Sequence, residues 1–514
     1  MTIGPQPVPL PGPLRSLQYD DDRAQRRALL IARLATAVYL LEVLLNLVRP
    51  RVAEDEPALT IFEKLDGKSA LARWVDLPET VFWILLLGIV VSVVLQVVAV
   101  RYPPKSRTAT ILLWATLAAM LGPFAIQPLI LIVISPVAAL VCVPTTLLVL
   151  WLLHEIQVFL RVPLSMLLAA FVWGALISFG FARACSGLAV GTIFARLPQP
   201  GQPGQQTDDL TVALSSLTTS MYQLLNVVSL HLFVITQVMQ AAGVLLILAV
   251  FRHRITDLTT GLVVGAAAGL GYTFTESILY IHVFGGLLSP VTGATSQFEY
   301  WIRQSVTLLG GHLAFGALLG AGFGLAAQIS QPRRRALVAG AGLLAALGGS
   351  LANEIVTAWI SHLLSDSVTR GSWLDTLIVS PLIVLLVQAP FIVLYLLLLR
   401  SGLRDRLALA RVAVPAEAAT GRGAITPREV PILLSPALRF WSVLGTARRR
   451  GLRTALALHR LQAAQLDLAG WRWQQDELAD ADPAMREEGA ELVRAVLRLK
   501  NPPPQPGLPK PVTS

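Results

Sequence analysis

Apolar residues in this chain come in blocks of about 20, the length that crosses a ~30 Å hydrocarbon core. Short polar connections separate the blocks. They predict about ten membrane spans, over roughly 28–48, 81–100, 109–126, 128–153, 163–187, 231–251, 258–283, 304–328, 334–363 and 373–399. The expected fold class is all-α: a polytopic transmembrane helical bundle with a helical cytoplasmic C-terminal region. Gly122, Pro123 and Pro128 crowd the junction of the third and fourth spans, so those two read as either separate helices or one broken unit.

The same pattern divides the chain. Residues 1–27 form a polar, Pro-rich tail with no apolar h-region, so no cleavable signal peptide is expected. Residues 28–400 form the transmembrane domain. Within it, 189–220 is an external connection with a flexible PQPGQPGQQ core, and Leu210–Leu230 reads as a re-entrant or interfacial helix. Residues 401–514 form a basic cytoplasmic region: a linker over 401–430, a basic helix over 436–475 and a disordered Pro-rich end. In that helix Trp441, Trp471, Trp473 and leucines alternate with arginines at helical spacing. It suits either an anionic lipid surface or a hairpin packed on residues 484–500.

Composition agrees with the spans. The 514 residues are 54% hydrophobic and 14% charged, where a soluble domain has about 25% charged. The net charge of +10 is explained by arginines in cytoplasmic loops and tails. Nucleic acid is not an expected partner, because no nucleic-acid motif accompanies the charge. Cys142 and Cys185 both fall inside spans, which argues against a disulfide framework or a thiolate metal site. Basic residues gather after the second, fourth, sixth and eighth spans (Arg101, Arg161, Arg252, Arg333), which puts both termini in the cytoplasm of an integral plasma-membrane protein. The loop between the first two spans, with Arg49, Arg51, Lys64, Lys68 and Arg73, runs against this alternation.

Candidate chemistry sits on two glycine-striped spans. Gly261, Gly265 and Gly269 step by four, and Tyr272, Glu276 and Tyr280 continue the steps. On the next span His312, Gly316, Gly320 and Gly324 do the same. Small residues on one stripe let helix backbones approach closely. The two stripes would bring Glu276 and His312 into a shared interior, either as a site or as a polar pair that satisfies itself. A carboxylate in hydrocarbon costs at least ~2.5–3.5 kcal/mol, which marks Glu276 as a residue with a use. Glu354 is a further intramembrane carboxylate, and His231 opens the sixth span. Glu42 reads as paired with another helix or near an interface, and His154–Glu155 as interfacial.

The segment RHRITDLTTGLVVGAAAGLGYTFTESILYI resembles the signature of the PrsW-like intramembrane proteases, relatives of the CAAX-processing and Abi membrane proteases. That signature is a Gly-x-Gly-aromatic-x-x-x-Glu-Asn run followed by Tyr, here Gly269, Gly271, Tyr272, Glu276, Ser277 and Tyr280. GGHLAFGALLGAGFGLA is similar to the family's His helix, with His312 in place, and LLAALGGSLANEI to its third motif, with Asn353 in place. The resemblance covers roughly residues 150–363. It implies catalytic roles for Glu276, His312 and Asn353 and a transmembrane protein substrate. The family's Glu-Glu-x-x-Lys motif is missing: VITQVMQAAGVLLIL offers only Gln237 and Gln240. The His expected four residues before Asn353 is Gly349, and the Asn after the glutamate is Ser277.

Three readings follow. The first is an intramembrane protease with Glu276, His312 and Asn353 at its site and Tyr272, Tyr280 and Glu354 in support. The second is a catalytically degenerate relative, a pseudoenzyme that binds membrane helices or scaffolds a complex. A transporter is a third reading, though no internal repeat is visible. Zinc is an open option that the ligand count does not support: a zinc site needs about three protein ligands plus a water, and Glu276 and His312 supply two. Convergence of Glu354 or His231 on the pair would favour a rebuilt site; hydrogen bonds from Gln237 and Gln240 to Glu276 would mark a retired one.

Overall fold

The computed structural model describes residues 21–48, 77–103, 106–157, 159–185, 230–251, 255–287, 295–363, 373–477 and 483–500. The described residues are helical, and no strand occurs among them. They fall into two compact units, 1–153 with 163–397 and 154–162 with 398–514. The 189–220 connection, residues 210–229 of the expected interfacial helix, the loop between the first two spans and the Pro-rich end lie outside the described residues.

In the first unit the helices are α1 (Asp21–Val48), α2 (Leu77–Ala99), α3 (Arg107–Ile134), α4 (Pro136–Glu155), α5 (Leu164–Val172), α6 (Leu230–Val250), α7 (Leu258–Leu279), α8 (Ser296–Gln304), α9 (Gly311–Ala327), α10 (Pro332–Leu363) and α11 (Ser380–Ala418). Seven helices among the described residues are long and apolar enough to cross a membrane, and three shorter apolar stretches lie in α1, α2 and α6. The chain is an integral membrane protein of helical-bundle class. The third and fourth spans are two helices, but the break is at Ser135–Pro136, later than the pattern suggests. Pro123 and Pro128 stay inside α3. Pro136 starts α4 because a first-turn position needs no N–H.

Helix α7 is the centre. Almost all its residues are buried, and Asp257 caps it by accepting from the Thr260 N–H at 2.9 Å. It is held on two sides by backbone-to-backbone contact. On one, Gly261, Gly265 and Gly269 sit against the backbone of Gly320, Gly316 and His312 on α9. On the other, Gly271 sits against Phe171, and Gly174 in the π-helical turn Trp173–Ser178 sits against Ala268. A methyl at any of these glycines would strike a carbonyl oxygen. Lipid tails are as apolar as leucine, so such an interface is held by close van der Waals packing rather than by escape from water. Thr275 adds a hydrogen bond, donating to the Ala175 carbonyl at 2.8 Å.

The second unit holds the rest of α11 with α12 (Pro436–Arg450), α13 (Leu452–Glu477) and α14 (Pro483–Lys500). Residues 401–418 are helix, not linker. Leucine, alanine and arginine are good helix formers, and Pro415 comes only in the last turn. The expected 436–475 helix is two helices, parted at Gly451, whose φ of +84 is open to glycine. Leu468 and Trp471 of α13 pack with Leu492, Val493 and Val496 of α14, as in the hairpin reading. Arg406 is wholly buried and donates to the Phe159 carbonyl at 3.0 Å. Glu155 meets His459 at 3.1 Å in this unit.

Candidate functional site

The four-residue glycine steps of α7 and α9 bring Glu276 and His312 together. Glu276 Oε2 lies 3.0 Å from His312 Nε2, and both residues are buried. Gly311 takes φ +47, a left-handed value that favours glycine. It sets His312 in the first turn of α9. Gly269 lies against the His312 backbone, so the imidazole's height along α7 is fixed by a residue with no side chain. The Tyr272 ring packs on the imidazole at 4.5 Å between centroids and on Phe179 at 5.4 Å.

A third group completes the cluster. Arg303 Nη1 donates to Glu276 Oε2 at 3.1 Å, and its Nε to Glu299 Oε2 at 3.3 Å. The guanidinium stacks over the Tyr280 ring at 3.3 Å. Arg303 belongs to α8, a short helix well anchored to its surroundings. Thr295 caps α8, accepting from the Phe298 N–H at 3.2 Å. The Ser296 hydroxyl is shared between the carbonyls of Ile281 (2.9 Å) and Gly285 (3.0 Å), and Thr145 bonds Gln304 at 2.5 Å. Arg303 was not among the residues singled out from the sequence. Its one signal is the Glu299–Arg303 spacing, which suits an ion pair on a helix.

The arrangement sets the proton positions. A carboxylate only accepts, so the imidazole donates through Nε2. In the neutral ring Nδ1 then carries the lone pair. That atom is buried and finds no hydrogen-bond partner among the described residues. The geometry is a carboxylate-oriented imidazole with an unpartnered, buried base nitrogen, beside a guanidinium.

The remaining candidates sit elsewhere. Gln237 hydrogen-bonds Ser350 on α10 rather than Glu276. With Gln240, Phe315 and Gly316 it lines a cavity of about 10 Å³, the lower limit for one water. The Gln240 Oε1 and Asn353 Oδ1 atoms are buried without partners among the described residues. Gly349 faces the rings of Phe315 and Phe391, which stand edge to face at 5.4 Å. A histidine there would displace that pair. The side chains of Glu354, His231 and Glu42 lie outside the described residues.

Residues 162–394 match the model of the PrsW family intramembrane metalloprotease. The similarity to the PrsW family covers these residues, a little under half of the chain. The match runs from just before α5 into α11, starting later and ending further on than the segment the motifs mark. Comparison with curated proteins and with solved structures gave no match. The PrsW description implies a metal, and the donors can be tested against one. Among the described residues no three His, Cys, Asp or Glu side chains come together. Near Glu276 the Nδ1 lone pair is the one unengaged ligand atom of His312, and the guanidinium of Arg303 already neutralises the carboxylate. The described residues do not fit a zinc ion, which needs about three protein ligands.

Proposed function

We propose that the chain is a PrsW-fold intramembrane peptidase that cuts a peptide bond within or beside a membrane-spanning helix. The observation that supports it is the Glu276–His312 pair, with Nδ1 buried and unpartnered among the described residues and Arg303 alongside. Peptide hydrolysis needs an activated water and stabilisation of developing charge. In this reading His312 Nδ1 takes a proton from water as the oxygen attacks the scissile carbonyl carbon. Glu276 holds the ring and stabilises the imidazolium. The imidazolium then gives its proton to the leaving amine. Tyr272 fixes the ring plane, and Tyr280 supports Arg303. Asn353 is assigned no step, and neither is Glu354, whose side chain lies outside the described residues. The arginine alternation supports cytoplasmic termini in the plasma membrane.

A second reading, a degenerate member that binds helices without cutting them, rests on two observations. Gln237 is tied to Ser350 on the helix where the family resemblance places acidic residues, and phenylalanines fill the space beside Gly349. Co-expression with a single-span substrate separates the two. Cleavage by the wild type, resistant to a chelator and abolished in Glu276→Ala and His312→Ala, is the expected result. Substrate capture without cleavage, equal in wild type and both variants, would overturn the peptidase reading.

A further inference from the structure

Helix α12 buries none of its residues and has no acidic side chain. Its N-terminal half exposes Leu438, Phe440 and Trp441 at 48, 61 and 60%. Phe440 and Trp441 stand edge to face at 5.5 Å, in the open. Its last turn is Arg448, Arg449 and Arg450, all exposed. At the helical period Leu438, Trp441, Arg448 and Arg449 share one face. Past the bend at Gly451 the pattern continues, with Leu452 and Leu456 at 74 and 57% exposure and exposed Arg453 between them.

We propose that this surface docks on an anionic lipid bilayer. Three things select that occupant. Tryptophan and leucine beside arginine match a headgroup boundary, where rings and aliphatic chains enter the acyl region and guanidinium groups meet phosphate. The charge is of one sign on α12, complementary to an anionic leaflet and not to a neutral one. The unit is also joined to a bilayer by its own chain, because α11 begins in a span-length apolar segment and runs on into this unit. Tethering raises the effective concentration of that surface, so a weak site is occupied. An RNA would engage the arginines and leave Leu438, Leu452 and Leu456 in water. Further along α13 and in α14 the apolar residues Leu468, Val493 and Val496 are already matched to one another, which leaves α12 and the first turns of α13 as the lipid-facing surface of the unit.

The test uses the full chain with Ala437→Cys, an exposed α12 position, carrying an environment-sensitive fluorophore. Native Cys142 and Cys185 are buried and stay unlabelled. The protein is placed in nanodiscs of phosphatidylcholine alone or mixed with phosphatidylglycerol. Expected are a blue-shifted emission and quenching by nitroxide lipids in the mixed discs, severalfold stronger than in phosphatidylcholine. Both signals are lost in high salt and in the combined variant Arg448→Gln, Arg449→Gln, Arg450→Gln. An unchanged protease-digestion pattern of α13 and α14 shows that the variant is folded. Three outcomes overturn the proposal. One is equal, unquenched emission in both discs. Another is a blue shift indifferent to lipid charge and to the arginines, which would indicate a protein-covered face. The third is a shift seen only on adding RNA.

Discussion

Replacing Gly269 by alanine tests the reasoning that joins packing to the site. The added Cβ would stand 2.8 Å from the His312 carbonyl carbon and 3.0 Å from Leu313 Cα. Carbon atoms rest about 3.5–4.0 Å apart, so the two helices must part by about 1 Å. Neither obstacle is a flexible side-chain end; both are backbone. Overpacking of this kind costs about 1–3 kcal/mol. Gly340 is the control, because a Cβ there meets nothing within 4 Å. Gly340→Ala should be neutral or gain about 0.5–1 kcal/mol from helix propensity. A thiol-reactive dye reads unfolding in detergent, because Cys142 and Cys185 become reactive only when the bundle opens. Gly269→Ala should melt several degrees lower than wild type, and Gly340→Ala at or above it. If the dyad is catalytic, the displacement of His312 also lowers turnover by about 10²-fold, the usual effect of a 1 Å misplacement. Equal melting of both variants and wild type would refute the backbone-contact account of α7 and α9.

Two further outcomes follow from the charges. Arg303→Gln leaves Glu276 and Glu299 without their shared cation and should destabilise by about 3–5 kcal/mol; the double variant with Glu276→Gln should lose less than the sum of the singles, by about 0.5–3 kcal/mol in a thermal-melting cycle. Asp467 is pushed up from 3.8 to about 6, first by burial, with Arg161 opposing and Glu155 adding. Between those values the folded state keeps a proton that the unfolded chain has lost, so stability falls as pH rises through the window and is level above it. Asp467→Asn should therefore raise the melting temperature at about pH 7.5 and leave it nearly unchanged at about pH 4; a gain independent of pH would count against the assignment.

The centre of the bundle was legible because its code is local and periodic. Glycines at four-residue steps define a stripe on each helix, and close packing of two such stripes places Glu276 opposite His312. Arg303 was hidden for the opposite reason. It lies in a connection between spans, and its partners Glu276 and Tyr280 are far away in sequence. The partner of Gln237 was also out of reach, since Ser350 meets it only through the packing of α6 on α10. Residues 401–418 were misread because their arginines and proline ended an apolar block. Loss of hydropathy marks the end of a span, not the end of a helix. The split of the C-terminal helix at Gly451 rested on one residue with a left-handed φ, a weak signal in a run of good helix formers.

The close embrace of α7 has a consequence for how the protein is made. Among the seven span-length helices α7 is the least apolar and the most enclosed. Its glycines, threonines and carboxylate are acceptable because protein, not lipid, surrounds them. A ribosome-bound chain meets the insertion machinery in order, however, and α7 emerges before α9, the helix that shields its glycine stripe. Until then its polar groups have only the earlier helices for shelter, above all α5 through Gly271 and the π-helical turn after it through Thr275. Biogenesis of this bundle should thus depend on the insertase holding α7 beside α5, and a truncation after residue 287 should leave α7 exposed to quality-control proteolysis.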